Sequence, residues 1–117
     1  MNILSTNTSS LEKVSLFFQA LSPNARLEIL LAIGTGESCV CHLESILGYR
    51  QAYISQHLMA LRNAGLIESR REGRYIYHRL KDPALLNFIQ QAAQFNEVEL
   101  SKVATEPTDC CCPNCVP

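Results

Sequence analysis

The chemistry-bearing residues of this chain are six cysteines that fall into two tight clusters. Two of them form a Cys-Val-Cys motif in the first half of the chain, and four lie among the last eight residues. Thiolates are the preferred ligands of soft metal and metalloid ions. The pattern therefore predicts a thiolate site for such an ion, and the candidate ligands are Cys39, Cys41, Cys110, Cys111, Cys112 and Cys115.

The spacing of Cys39 and Cys41 in the sequence limits how the two can bind one ion. Residues i and i+2 of a regular helix point about 200° apart, so Cys39 and Cys41 can share an ion only if a helix begins there or is distorted. A helix N-terminus would also favour the thiolate form. For the tail cluster, an unstructured metal scavenger or a tag-like remnant is the alternative interpretation.

The rest of the sequence indicates the cellular compartment in which the protein works. The first residues lack the basic and apolar segments of a secretory signal, and no apolar run approaches the roughly 20 residues that a membrane span needs. We therefore expect a cytoplasmic protein of one small domain that does not contact a membrane. In a reducing compartment, clustered cysteines are more often metal-binding or redox-active than disulfide-bonded.

The net charge of −1 conceals an uneven distribution. Residues 50–81 carry seven basic residues against two acidic ones, a net charge of +5, whereas residues 1–49 and 82–117 carry −2 and −4. A basic block of this kind is the electrostatic footprint of a phosphate-binding face. By charge alone, an ordinary solvated surface is an equally good interpretation.

Hydrophobic periodicity predicts four helices in the first part of the chain. The first follows a serine cap at residues 9–10, and the second follows Ser22-Pro23, with serine as N-cap and proline as the first helical residue. The third begins near residues 37–41 and is ended by a glycine. The fourth begins near Gln51, and its apolar residues recur at spacings of four and three, which places them on one buried face.

The pattern then changes to a β-hairpin and a last helix. Two β-rich runs, residues 66–71 and 74–80, flank a Glu-Gly turn. A fifth helix follows a cap at Asp82 and extends towards Ala104. The chain thus divides into a flexible N-terminus (1–10), a folded domain (11–104) and a cysteine-rich tail (105–117).

Two short helices, a brief turn and a basic hairpin together predict a mainly α winged helix-turn-helix. The second helix of the pair would enter the major groove, where glutamine recognises adenine, while hairpin arginines neutralise phosphates or enter the minor groove. Each exposed residue alone is equally well explained as ordinary surface, but the combination is specific. The candidate DNA contacts are Gln51, Tyr53, Ser55, Gln56, His57, Arg62, Arg70, Arg71 and Arg74.

Several stretches carry a resemblance to a known family: LSPNARLEIL at 21–30, SCVCHL at 38–43, QAYISQHLMALRNAGLI at 51–67, and the hairpin residues 71–77. Over roughly residues 11–100 the chain resembles the ArsR/SmtB family of metal-responsive winged-helix repressors. The resemblance implies a homodimer formed through the first and last helices. It also implies that the dimer binds double-stranded operator DNA of imperfect two-fold symmetry and releases it when the inducer binds.

Within that family, the Cys-Val-Cys motif resembles both arsenic sensors and cadmium/lead sensors. Many such arsenic sensors have a third cysteine where this chain has Glu44, and such cadmium/lead sensors recruit cysteine from an N-terminal extension, whereas residues 1–10 contain none. The family's zinc site on the last helix needs histidine, and residues 82–104 contain none. We infer from ligand count that tail cysteines, in cis or from the other subunit, complete the site, with His42 as a candidate accessory ligand. The expected inducer is Cd(II), Pb(II) or As(III), with a slight preference for the first two.

Other functions remain open at this point. Proteins of this fold also include redox and persulfide sensors, and here Cys41 could become linked to a tail cysteine. A metal-storage module would not need the basic hairpin. An enzyme is not expected, because the sequence contains no catalytic triad, phosphate loop or paired-carboxylate signature.

Overall fold

The computed structural model describes the backbone of residues 2–100 and the side chains of residues 9–100. Within this range the five predicted helices and the hairpin are confirmed, and they form a mainly α winged helix-turn-helix. The elements in chain order are α1 (Asn2–Leu21), α2 (Asn24–Ile33), β1 (Ser38–Cys39), α3 (Val40–Leu47), α4 (Gln51–Asn63), β2 (Ile67–Glu72), β3 (Tyr75–Leu80) and α5 (Ala84–Phe95).

The hairpin belongs to a three-stranded antiparallel sheet with the strand order β1-β3-β2 in this part of the chain. The third strand, β1, was not predicted from the sequence. It is two residues long and pairs Ser38 with His78 and Cys39 with Tyr77. The first cysteine of the Cys-Val-Cys motif is therefore a strand residue attached to the inner strand of the wing.

The core lies between α2, α3, α4 and the sheet, with α5 packed on one side. The predicted inward face of α4 is confirmed, since Ile54, Leu58 and Leu61 are all buried. Burying each side chain of this size contributes on the order of 1.5–3 kcal/mol. This packing fixes which face of α4 is left outward. The most deeply buried core side chains include Ile29, Leu30, Leu43, Ile54 and Leu61.

Two predicted helix starts were wrong. The first helix begins at Asn2 rather than after residues 9–10, because no glycine or proline interrupts the sequence from there to Leu21. In α2, Pro23 takes an extended ψ of 132° and is itself the N-cap, so Ser22 is not the capping residue. At α5 the N-cap is likewise the proline, Pro83, although Asp82 Oδ1 accepts a hydrogen bond of 2.9 Å from the Ala84 N–H.

The last helix is shorter than predicted. It ends at Phe95 instead of extending towards Ala104. The termination is local: Glu97 takes a left-handed φ of 57°, and the Val98 N–H bonds back to the Ala93 carbonyl at 3.0 Å. This 6→1 hydrogen bond is the Schellman arrangement that ends many helices. The predicted cysteine-rich tail lies outside the described residues.

Apolar side chains remain exposed on α1 and at the end of α5. Leu11 is 70% exposed and Phe95 is 88% exposed, and the Phe17, Phe18 and Phe88 rings form a cluster with centroids 5.2–6.0 Å apart. Exposed apolar side chains of this kind are typical of an interaction face. No single helix in the described part of the chain is long and apolar enough to cross a membrane; residues 9–21 and 24–33 pass that test only as a pair, across an 82° bend.

Candidate metal centre and nucleic-acid interface

The two thiols of the Cys-Val-Cys motif converge. Their Sγ atoms lie 3.0 Å apart. Cys39 ends β1 with an extended backbone (φ −87°, ψ 170°), and Val40 begins α3. The helix therefore starts between the two cysteines, so the offset of about 200° within a regular helix does not separate them. The geometric condition for a shared ligand pair, stated from the sequence, is met.

The two cysteines differ in exposure. Cys39 is only 2% exposed and forms a small buried cluster with Tyr77, while Cys41 is half-buried and packs against that cluster together with Tyr75. Both sulfurs also lie at the N-terminal end of α3, where the helix dipole favours a negative charge. An ion can therefore reach the two sulfur atoms from the side of Cys41.

Two thiolates are fewer than the three or four donors that thiophilic ions take. Among the residues that the structure describes, no group of three His, Cys, Asp or Glu side chains is placed to hold an ion. His42, the candidate accessory ligand, lines a separate cavity with Thr35, Gly36 and Leu86 and is not grouped with the thiols. The four predicted tail ligands, Cys110, Cys111, Cys112 and Cys115, lie outside the described residues.

Ligation would also change the spacing of the pair. Two thiolates on a tetrahedral zinc ion, for example, whose bonds to sulfur are about 2.3 Å long, lie roughly 3.8 Å apart. Binding of such an ion would therefore require the pair to open from its present separation of 3.0 Å. Because Cys39 is buried against Tyr77, such an opening would be taken up by Cys41 or by β1 moving relative to β3.

The recognition-helix candidate, α4, presents a mixed polar and aromatic face. Gln51, Tyr53, Gln56 and Arg62 are exposed as predicted, and Ser55 is half-buried. Tyr53 is held in place by stacking, with its ring centroid 5.0 Å from that of Tyr49 and 4.6 Å from that of His57. The side chains offered to DNA are therefore partly ordered before any DNA is bound.

His57 is not a simple surface residue. It is half-buried, and its Nδ1 accepts a hydrogen bond of 3.0 Å from Arg26 Nε of α2. Burial, and to a smaller extent the Arg26 charge, lowers the pKa of His57 below its ordinary value of 6.5. The ring is therefore neutral at physiological pH.

The wing base, defined here as Glu37, Arg70 and Tyr77, is an ion pair on an aromatic ring. Arg70 donates from Nε and Nη2 to the two carboxylate oxygens of Glu37, both at 2.8 Å, and from Nη1 to Glu72 at 3.2 Å. Its guanidinium lies 4.9 Å from the Tyr77 ring centroid. The Arg70 hydrogen bonds lower the pKa of Glu37. Arg70, predicted as a phosphate contact, is thus occupied by carboxylates in this structure.

The wing tip, defined here as Arg71, Gly73 and Arg74, has a different character. Gly73 adopts a left-handed φ of 62° in the turn, and both arginines are exposed. Neither arginine forms an ion pair with any residue in the range 9–100, and Arg74 lies 5.7 Å from the Tyr75 ring centroid. These two predicted contacts are placed where a phosphate can reach them.

Sequence reasoning missed Glu37, Tyr77 and Arg26. Glu37 bonds to Arg70, which lies 33 residues away in the sequence. Arg26 bonds to His57, which lies 31 residues away. Nothing local distinguishes them from other charged surface residues. Tyr77 had one available signal, because a tyrosine in the inner strand of a hairpin alternates towards the core.

Comparisons with known proteins agree with this architecture. A family model described as bacterial regulatory protein, arsR family, matches residues 23–69. The cadmium resistance transcriptional regulatory protein CadC of Listeria innocua is 34% identical over 89 residues, 75% of each chain. The arsenic resistance transcriptional regulator ArsR2 of Pseudomonas putida is 38% identical over 78 residues, 66% of this chain and 67% of that one.

A solved structure extends the comparison to three dimensions. The homodimeric winged helix-turn-helix DNA-binding domain of a possible ArsR-family transcriptional regulator from Mycobacterium bovis superposes with a TM-score of 0.70. The two chains are 30% identical, and the match covers 78% of this chain and 87% of that one. At this level of identity the likeness extends to the family as well as to the fold.

Proposed function

The chain belongs to the arsR family of bacterial regulatory proteins, and we propose that it is a cytoplasmic repressor released from operator DNA when its cysteine thiolates bind Cd(II), Pb(II) or As(III). The family is one of DNA-binding transcriptional regulators and not of enzymes. The observation that carries the proposal is the 3.0 Å approach of Cys39 Sγ and Cys41 Sγ against the inner strand of the wing. This approach supports the proposal because the thiol pair lies against the hairpin that carries the proposed DNA contacts of the wing tip.

DNA binding is assigned to α4 and the wing tip. Gln51 and Gln56 on the exposed face of α4 have the donor and acceptor needed to pair with adenine in the major groove. Arg71 and Arg74 of the wing tip are placed to neutralise phosphates or enter the minor groove. The net charge of +5 over residues 50–81 supports this orientation of the molecule on DNA.

The active form is proposed to be a homodimer joined through α1 and α5. The exposed apolar side chains on these helices supply a surface that dimerisation would remove from water. The Mycobacterium bovis relative is itself described as homodimeric. In such a dimer the two α4 helices would reach successive major grooves, roughly 34 Å apart, on an operator of imperfect two-fold symmetry.

The missing donors are proposed to come from the tail. Cys39 and Cys41 supply two sulfurs, and As(III) needs three while Cd(II) accepts four. The tail offers four more cysteines: Cys110, Cys111, Cys112 and Cys115. Six cysteines fit a three- or four-sulfur site, with Cd(II) or Pb(II) slightly ahead of As(III). CadC and ArsR2 are named for cadmium and arsenic resistance, which supports ions of this class.

Release is proposed to pass through the wing base. Opening of the sulfur pair on ion binding would push on Tyr77 or shift β1, and Glu37 connects the chain just before β1 to Arg70 on β2. A shift of β1 therefore moves the hairpin that carries the wing tip, and with it the fit of the dimer to successive grooves. Allosteric coupling of about 1–3 kcal/mol lowers affinity 5- to 150-fold, which is enough for induction.

An absorption titration tests the ligand set. Wild type and a chain truncated after Asp109 are titrated with Cd(II), Pb(II) and arsenite, and thiolate-to-metal charge-transfer bands are recorded. Wild type is expected to saturate at one ion per site with a three- or four-sulfur band, and truncation should weaken binding and reduce the intensity. Identical titrations of the two chains would contradict the assignment of tail ligands, and no band from either would contradict thiolate sensing itself.

A redox or persulfide-sensing repressor is the second candidate function. The half-buried position of Cys41 favours it, because a partly exposed thiol can be oxidised and linked to a tail cysteine. Operator release is followed during titration with metal under reducing conditions and with oxidant in the absence of metal. Release by metal alone supports the metal sensor, whereas release by oxidant alone supports the redox switch.

A further inference from the structure

One guanidinium connects the three helices α1, α2 and α4. Arg26 of α2 donates from Nη1 to the Ala20 carbonyl in the last turn of α1, at 3.3 Å. It also donates from Nε to Nδ1 of His57 on α4, at 3.0 Å. The candidate recognition helix is therefore attached by a charged hydrogen bond to the same side chain that caps α1.

This hydrogen bond determines where the imidazole proton resides. A guanidinium is always a donor, so Nδ1 of His57 must be an unprotonated acceptor. A neutral ring then carries its proton on Nε2. Protonation of both nitrogens would break the bond and place two cations about 3 Å apart, at the distance of the present hydrogen bond. Burial also lowers the pKa of His57, which likewise favours the neutral ring.

The remaining nitrogen is available. Within residues 9–100, Nε2 of His57 has no hydrogen-bond partner. The Tyr53 ring packs edge-on against the imidazole at 4.6 Å and restricts its rotation. Both neighbours thus hold the ring in one orientation with one donor unused.

We propose that Arg26 is a positioning residue for DNA recognition, which fixes His57 as a neutral Nε2–H donor to an acceptor atom on the operator. The inference rests on the proposed contact between α4 and DNA. The acceptors with matching chemistry are the purine N7, guanine O6 and thymine O4 atoms in the major groove and a phosphate oxygen. Substituting the operator with 7-deazapurines removes the first of these, and methylphosphonate linkages neutralise the last.

The first readout is the tautomer of His57, measured by NMR from the ¹⁵N shifts of the ring in the DNA-free protein. Wild type is expected to show the Nε2–H form only, and Arg26→Met a mixture of both tautomers. Arg26→Lys should restore the Nε2–H form, because an ammonium group also donates to Nδ1. A wild-type ring protonated on Nδ1, or a tautomer that does not change in Arg26→Met, would overturn the inference.

The second readout is operator affinity, with variants that separate the two sides of the ring. His57→Asn keeps an acceptor near the Nδ1 position and loses the outward donor, whereas His57→Gln carries an amide donor towards the Nε2 position. The His57→Asn variant is expected to bind operator about tenfold more weakly than wild type, which is the effect of losing one hydrogen bond to a base. The affinity of the His57→Gln variant should stay closer to that of wild type. Equal affinities for Asn and wild type would overturn the inference.

A matched control separates this inference from the proposed function. Gln56→Ala removes another exposed side chain of α4 that has no link to Arg26. If Gln56→Ala weakens binding while His57→Asn and Arg26→Met do not, the proposed DNA contact stands and only the role of Arg26 fails. If none of the three changes affinity, the proposed use of α4 is itself wrong. Circular dichroism checks that Arg26→Met is folded, and Arg79→Met serves as a surface arginine control.

Discussion

The base and the tip of one hairpin use arginine in opposite ways. At the wing base, Arg70 is held by two hydrogen bonds to Glu37 and lies over the Tyr77 ring. At the wing tip, Arg71 and Arg74 are exposed. Arg70 and Arg71 are adjacent in β2, but successive strand residues point to opposite faces, so only one of them meets Glu37. Charge alone could not have separated them.

The two ends of the wing therefore have different tasks. The base is continuous with the thiol pair, because Cys39 pairs with Tyr77 and packs against it. The tip reaches that cluster through Arg74, which lies 5.7 Å from the Tyr75 ring centroid, and its two arginines offer exposed charge. On our proposal the base responds to the ion and the tip binds the operator, with the hairpin transmitting the change from one to the other.

The largest effect is expected at the base. Tyr77 is 1% exposed, and Tyr77→Ala removes a large ring from the cluster with Cys39. We expect a loss of about 3–5 kcal/mol in the free energy of unfolding, measured by urea denaturation. The matched control is Ile76→Ala, one residue away on the opposite face and 36% exposed. Similar losses from the two variants would contradict the distinction between the faces.

A smaller effect, confined to DNA binding, is expected at the tip. Replacing Arg71 and Arg74 with alanine should weaken operator binding while leaving the unfolding transition nearly unchanged. The slope of log K against log salt should fall by about one for each arginine that no longer neutralises a phosphate. Arg79→Ala is the control, because Arg79 is already paired with Glu68 at 2.7 Å. The assignment fails if the control lowers the salt slope as much as the tip variants do.

The smallest effect on stability is expected from the ion pair of the base. Glu37→Gln removes the charge opposite Arg70, and the pair is partly exposed, so the fall in the urea midpoint should be far below that of Tyr77→Ala. The pKa of Glu37 is lowered from its ordinary value of 4.5. Its contribution is therefore present above pH 4.5 and is lost as the pH falls through the lower pKa of the folded state.

That pH dependence provides its own check. The difference in stability between wild type and Glu37→Gln should be constant near neutral pH and shrink under acid. If the difference instead grew as the pH fell, Glu37 would not be stabilised as a carboxylate. With the ion pair removed, Arg70 should also become able to bind phosphate, which would appear as a steeper salt slope for DNA binding.

The sequence predicted those features that depend on local patterns. The buried stripe of α4 follows from a spacing of four and three, and the wing from two β-rich runs around Gly73. Three features depend on distant partners and were not predictable. Strand β1 exists only by pairing with β3, while the Glu37–Arg70 and Arg26–His57 bonds each span more than 30 residues.

The sequence likewise predicted one part of the candidate site and not another. The Cys-Val-Cys motif indicated the thiol pair, and the condition that a helix must start there was correct. The opposite roles of Arg70 and Arg71 required the pairing register of β2 with β3. The end of α5 was misjudged because Glu97, not a glycine, takes the left-handed conformation that stops the helix.

Control of DNA binding by the thiol pair can be measured in a single experiment. Operator affinity is determined by fluorescence anisotropy for wild type and Cys39→Ser, with and without saturating Cd(II), under reducing conditions. We expect equal affinities without metal, a 5- to 150-fold loss for wild type with Cd(II), and almost none for Cys39→Ser. A Cys39→Ser variant that releases DNA as wild type does would show that the thiol pair is not the sensor.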